Sequence, residues 1–209
     1  LLLCKTHKFV YIRIPKTGST SCALYLLHSG LIDDTDICGN KDAGAVKGML
    51  RHQQKSEYQS AEIISSNYGH AKYRDVLTDY PFCKEYASIA TVRNPVDRVL
   101  SAGVMLANQD RSPEAIYRNI EFVLRSNMIF SIEQSRFVSE DTILWPTEKM
   151  GTKVEEFIVS RGGKIEKQWQ ALKTESGAHA DVIDHSLMSK IENRYSNDFD
   201  LWERAMSCG

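Results

Sequence analysis

The sequence predicts an α/β fold, a three-layer sandwich with helices on both faces of a central parallel sheet. Three observations carry that reading. Short apolar runs rich in β-branched and aromatic residues recur, amphipathic helical patterns follow them, and turn residues separate the two. Strand–helix–strand succession returns each strand parallel to the last, and a sheet covered on both faces carries nearly continuous apolar strands.

Residues 8–14 (KFVYIRI) form the first predicted strand, which stops at Pro15. Residues 61–65 (AEIIS) form a weaker one. Residues 86–92 (YASIATV) are the strongest and end at Arg93-Asn94-Pro95, while residues 142–145 (TILW) end at Pro146. Helices fall between them. Residues 17–28 space Cys22, Ala23, Leu26 and Leu27 helically. Residues 96–106 follow Pro95, suited to a first helical turn, with Asn94 as cap. Residues 113–126 begin after Ser112 and stack Ile116, Ile120, Val123 and Leu124 on one face. Residues 152–161 carry Thr152 and Glu155 as a capping box and stop at Gly162-Gly163. Residues 186–206 read as a longer helical stretch broken near Asn197-Asp198.

At 209 residues the chain fits one domain, residues 1–209. Its 26 Lys and Arg balance 27 Asp and Glu, which argues against bulk nucleic acid or an anionic membrane as partner and leaves room for a local basic pocket. No stretch approaches the roughly 20 apolar residues of a membrane span. The five cysteines are scattered without a C-x-x-C pair, so neither a metal site nor a disulfide framework is expected. With no N-x-S/T acceptor either, the balance leans to a reducing cytoplasm. The Golgi lumen is the alternative if an N-terminal anchor has been removed, since the chain does not begin with Met.

In parallel α/β sheets ligands bind beyond the carboxyl ends of the strands. After KFVYIRI come Pro15, Lys16, Thr17, Gly18, Ser19, Thr20 and Ser21, then an apolar helix. Free N–H groups at a helix start, its dipole, a glycine allowing close approach, hydroxyl donors and a lysine are what a phosphate-like anion needs. The order differs from G-x-x-x-x-G-K-[ST], because Lys16 precedes Gly18 and the first glycine is absent. No strand ends in an aspartate placed for Mg²⁺. After YASIATV, Arg93 can fork onto a second anion, and Ser101 follows about two helical turns later. Arg98 and Asp97 read as a solvated or structural ion pair. Two anion sites on one sheet suit a ligand with phosphate-like groups at both ends of a nucleoside.

PKTGSTS and VRNPVDRVLSA together resemble the two donor-binding segments of sulfotransferases that use PAPS (3′-phosphoadenosine 5′-phosphosulfate). The nearest likeness is to the carbohydrate enzymes of uronyl 2-O type and their compact bacterial relatives. It extends faintly to Gln134-Ser135-Arg136-Phe137, to ILWPTEKM and to IENRYSNDFDLW. The resemblance implies the sulfotransferase, P-loop-like fold, PAPS as donor with adenosine 3′,5′-bisphosphate as product, and no metal. By position, Lys16 would stabilise the leaving phosphate, and Thr17, Gly18, Ser19, Thr20 and Ser21 would hold the 5′-phosphate. Arg93 and Ser101 would hold the 3′-phosphate. Asn94 stands where the family often has Asp. The family's base comes from a His-Gly-His segment, here Tyr68-Gly69-His70, which makes His70 the candidate. Histidine suits the task because its ordinary pKa lies near neutrality. His52, Glu57 and Glu62 are the other candidates.

The implied reaction moves a sulfuryl group to a hydroxyl-bearing acceptor, a glycan or small molecule, by in-line transfer. An ATP-dependent small-molecule kinase and a non-catalytic nucleotide-binding domain are the competing readings. Residues 31–60, 68–75 and 105–130 are expected to build the acceptor pocket.

Overall fold

The structure, a computed structural model, describes residues 1–32, 37–39, 62–64, 70–165 and 175–208, with backbone alone at 37–39, 62–64 and 175–176. Its strands are β1 (Leu2–Cys4), β2 (Phe9–Ile12), β3 (Ile37–Gly39), β4 (Glu62–Ile64), β5 (Ala87–Val92) and β6 (Ile143–Pro146). They join in one sheet, ordered β4-β3-β1-β2-β5-β6. The α-helices are α1 (Ser19–His28), α2 (Tyr73–Asp79), α3 (Pro95–Ala107), α4 (Pro113–Arg125), α5 (Met150–Ser160), α6 (His185–Arg194) and α7 (Ser196–Ser207).

The half of the sheet formed by β2, β5 and β6 is parallel, as expected, with Phe9 opposite Ala87 and Ile89 opposite Ile143. The other half differs. β1 runs antiparallel to both β2 and β3, while β3 is parallel to β4. Residues 5–8 alone join β1 to β2, and so short a turn allows only an antiparallel pair, since a parallel crossover needs roughly a dozen residues or more. Lys8 adopts a left-handed φ of 49° beside that turn. Neither β1 nor β3 is a strand the sequence predicts. In Leu1-Leu2-Leu3-Cys4 both faces are apolar, so no alternation marks the strand.

Side chains alternate across β2 into two cores. Phe9 and Tyr11 pack with Cys22 and Leu26 of α1 and with Val154 and Ile158 of α5. Val10 and Ile12 pack with Val76 of α2 and with Leu201 and Ala205 of α7. These are the three expected layers. A third cluster joins α3, α4 and α6 through Leu100, Ile116, Ile120 and Leu187. Gly103 lets α3 approach α4, because a Cβ there would stand 2.6 Å from Ile120 Cγ1.

Side-chain caps set the starts of α3, α4 and α6. Asn94 Oδ1 accepts from Val96 N at 2.9 Å and Ser112 Oγ accepts from Ala115 N at 3.3 Å, with Pro95 and Pro113 in the first turns. The Thr152–Glu155 capping box does not form. α5 already begins at Met150, led by a 3₁₀ turn over Thr147–Lys149, so Thr152 sits inside the helix. The C-terminal break falls at Tyr195, two positions before the expected Asn197. Among the described residues no helix is long and apolar enough to cross a membrane. Cys4, Cys22, Cys83 and Cys208 are free thiols.

Arg98 corrects its sequence reading. It is 1% exposed and faces Asp198 of α7 at 3.7 Å, not the neighbouring Asp97. Its Nε donates to Pro15 O at 3.0 Å, and Nη2 donates to Ile132 O at 2.7 Å and Phe130 O at 3.2 Å. Burial pulls the Arg98 pKa down and the Asp198 charge opposes that pull. Removing one partner of a buried, hydrogen-bonded pair strands the other. Arg98→Ala is therefore expected to lower the unfolding free energy by about 3–5 kcal/mol in urea denaturation. An unchanged midpoint would show that the network is dispensable.

Candidate functional site

Beyond Ile12 the chain turns through Pro15 into α1. Lys16 (φ 67°) and Gly18 (φ 72°) both take left-handed conformations, and turns of this kind gather backbone N–H groups on one concave side. Only glycine adopts that conformation without strain, so Gly18 is dictated by the backbone and Lys16 is strained. Gly18 is the N-cap of α1 and no side chain caps the helix. The run of hydroxyl residues is thus not explained by capping.

One cavity of about 510 Å³ at this turn is lined by Lys16, Gly18, Ser19, Thr20, Ser21, His70, Arg93 and Ser101. Of the two anion segments' predicted site residues and His70, all among the described residues, Thr17 alone stays out of it. The Thr17 hydroxyl points into the protein, donating to Ile14 O at 2.9 Å and meeting Thr91 Oγ1 at 2.9 Å. Any hold of Thr17 on an anion therefore falls to its backbone N–H, its hydroxyl being engaged inside the protein. Its backbone remains part of the turn, pinned by Thr147 of the cavity lining, whose hydroxyl lies 3.1 Å from Thr17 O and 2.9 Å from Val92 O.

The second strand end contributes Arg93, just past β5, and Ser101, on α3. Ser101 is 1% exposed and its Oγ has no hydrogen-bond partner. A buried orphan hydroxyl costs about 1–3 kcal/mol, which a ligand able to pair with it would recover. Lys16 and Arg93 are both partly buried, and burial lowers both pKa values. The positive charge of Arg93 lowers Lys16 further, while Asp97 and Glu148 push Arg93 back up. Two cations set against each other and an unsatisfied hydroxyl in one cavity favour a polyanion.

His70 meets the same space from the residues preceding α2. Its Nδ1 lies 2.7 Å from Arg13 O. A carbonyl only accepts, so Nδ1 carries the proton in that bond and the neutral ring has its basic lone pair on Nε2. Arg13, itself buried, also donates from Nη2 to Thr20 Oγ1 at 2.9 Å. Tyr68, Gly69, His52 and Glu57 lie outside the described residues, and Glu62 is described by its backbone alone.

Sequence reasoning missed the cavity's apolar wall of Met105, Ile129, Phe130 and Met150. Met105 could have been found, since it lies one helical turn after Ser101. The others are brought in by the chain's return and carry no local signal. Another cavity, of about 590 Å³, lies against β6, where Lys153 and Arg204 are balanced by Glu140 and Glu156. It contains none of the predicted residues.

The parallel half of the sheet thus presents, at its strand ends, an uncapped helix start, a lysine, an arginine and a histidine in one cavity, a set of groups suited to an anion. The comparisons specify it further: the chain belongs to the Sulfotransferase family, whose model matches residues 1–136. That places it among the transferases. The match includes both anion segments and His70. The crystal structure of a sulfotransferase from Alicyclobacillus acidocaldarius is similar at 16% identity, covering 94% of each chain with a TM-score of 0.42. No curated protein matches.

The left-handed Lys16 gives a test that needs no ligand. Lys16→Gly relieves the backbone strain and the repulsion with Arg93, so it is expected to stabilise the fold by about 1 kcal/mol. Lys16→Ala, which keeps the strain, should gain less in thermal denaturation. Equal melting temperatures for the two variants would show that the backbone at position 16 is unstrained.

Proposed function

We propose that this chain transfers a sulfuryl group from PAPS to the hydroxyl of an acceptor, a carbohydrate or a smaller alcohol. The observation that carries the reading is the convergence, in one cavity, of the Lys16–Ser21 turn with Arg93 and the orphan Ser101 hydroxyl. ATP has no 3′-phosphate to offer to Arg93 and Ser101. The residues present fit the donor: the turn and the first amides of α1 suit a 5′-phosphosulfate, and Arg93 with Ser101 suits a 3′-phosphate. The apolar wall of Ile129, Phe130 and Met105 suits a base ring between them.

When bound, the donor supplies the sulfuryl group that the acceptor hydroxyl attacks in line. His70 takes the hydroxyl proton at Nε2, the lone pair left by its bond to Arg13 O. Its imidazolium is then held by the same carbonyl. Lys16 neutralises negative charge growing on the departing phosphate, and the strained, partly buried setting keeps its ammonium directed there without reorganisation. Ser19, Thr20 and Ser21 hold the phosphate oxygens, with Thr20 oriented by Arg13.

Calorimetry with adenosine 3′,5′-bisphosphate and with ATP plus Mg²⁺ tests the reading. Tight binding of the bisphosphate alone is expected, and preference for ATP would replace this proposal with a kinase. Lys16→Ala is expected to cut kcat by roughly 100-fold or more. His70→Ala should abolish transfer while bisphosphate still binds, and a binding domain without activity would show wild-type chain equally inert with every labelled-PAPS acceptor tried.

The lowered pKa of Lys16 sets a pH dependence. Its ammonium is the anion-holding form, so bisphosphate affinity is full on the acid side and falls as pH rises through a pKa below the usual 10.5. Binding in that range should take up a proton, seen as a dependence of calorimetric heat on buffer ionisation enthalpy. Affinity that stays level across the alkaline range would remove Lys16 from the anion site.

A further inference from the structure

Gln134 is wholly buried, does not line the cavity, and has no part in the reaction proposed above. Its side-chain amide nevertheless closes a two-bond ring with the backbone of Arg93. Arg93 N donates to Gln134 Oε1 at 2.9 Å, and Gln134 Nε2 donates to Arg93 O at 2.8 Å. That is the donor–acceptor pattern of one rung in a β-ladder, made here by a side chain. It stands one residue beyond the last rung of the sheet, where Val92 pairs with Pro146.

The rung is fixed from behind. Gln134 N donates to Asp198 Oδ2 at 2.8 Å and Ser135 N donates to Asp198 Oδ1 at 2.9 Å. Asp198 in turn faces Arg98, which sits on α3 one turn before Ser101. One chain of polar contacts therefore fixes both halves of the second anion site: the backbone under Arg93 and the helix under Ser101. A guanidinium fork binds phosphate by direction as well as charge, so the frame from which the side chain departs sets how well it grips.

We propose that Gln134 is the positioning residue for Arg93 and sets this site's selectivity for a ribose 3′-phosphate. The inference rests on the donor reading under the proposed function. It assigns Gln134 no contact with ligand. The amide fixes the Arg93 backbone, and selectivity is lost when either of its two bonds is lost.

The test measures a selectivity ratio, the Kd for adenosine 5′-phosphate divided by the Kd for adenosine 3′,5′-bisphosphate. Gln134→Ala is expected to lower the ratio by roughly tenfold while the Kd for adenosine 5′-phosphate holds. On an Arg93→Ala background the same change should lower it no further, the non-additivity of residues acting through one another. Gln134→Glu supplies the variant that distinguishes positioning from general destabilisation and serves if Gln134→Ala does not fold. Its carboxylate still accepts from Arg93 N but opposes Arg93 O with a second acceptor, and protonation restores a donor. Its ratio, relative to wild type at the same pH, should therefore be depressed at neutral pH and recover in mild acid. Unchanged ratios, affinities for both ligands falling together, or a loss additive with Arg93→Ala would each overturn the inference alone. A wild-type chain that does not distinguish the two ligands would overturn the donor reading first, and this inference with it.

Discussion

The Arg98 guanidinium, buried among three backbone carbonyls and the Asp198 carboxylate, is the interaction on which the rest of the site depends. Such a pair contributes little net stability, because desolvation of both charges offsets most of their attraction. What it supplies is position. Pro15 belongs to the turn before Lys16, Phe130 to the apolar wall, and Asp198 to the last helix. One planar group with five fixed donors holds these three parts of the chain in register, which a hydrophobic side chain of the same volume would not do.

Around that fixed point the cavity collects several individually unfavourable choices. Lys16 occupies a left-handed conformation, its pKa is lowered by burial and by Arg93, and Ser101 keeps an unsatisfied hydroxyl. Each conflicts with local or electrostatic preference, and the surrounding packing must hold them there. They share one remedy, since an anion in the cavity pairs the hydroxyl and compensates both cations. Conflicts spread at random over the chain would have no common remedy. Conflicts gathered at two strand ends of one sheet mark a candidate binding site.

What was legible in the sequence follows the reach of the interactions involved. β2, β5 and β6 read correctly because apolar runs stop at proline, and α3 and α4 because Asn94-Pro95 and Ser112-Pro113 are complete start signals within two residues. The capping box at Thr152 misled because the start of α5 is settled by the preceding turn, whose Thr147 is bound to Thr17 and Val92. β1 escaped because both of its faces are buried. Arg98, Gln134 and Asp198 escaped for a different reason: each is a polar residue whose partners lie far along the chain, and a sequence window shows a charge without showing what answers it. The two segments proposed to hold anions stand out in the sequence because each gathers its polar and charged groups within a few residues, whereas the network that orients them is assembled only by folding.

The same distinction bears on the base. Tyr68 in place of a first histidine weakens the motif as a string, yet the geometry at His70 does not depend on that neighbour. Its tautomer is set by Arg13 O, contributed by the chain just past β2, three residues before Lys16. Arg13 also orients Thr20, so the proposed proton acceptor, phosphate-holding hydroxyl and leaving-group cation are tied to one short stretch, residues 13–20. A shift at the end of β2 would move all three together and preserve their mutual geometry. A shift of α3 or Arg93 would change instead how a donor's far end is held. In the proposed reaction, chemistry is thus anchored to β2 and donor selectivity to β5, with Arg98 joining the two through Pro15.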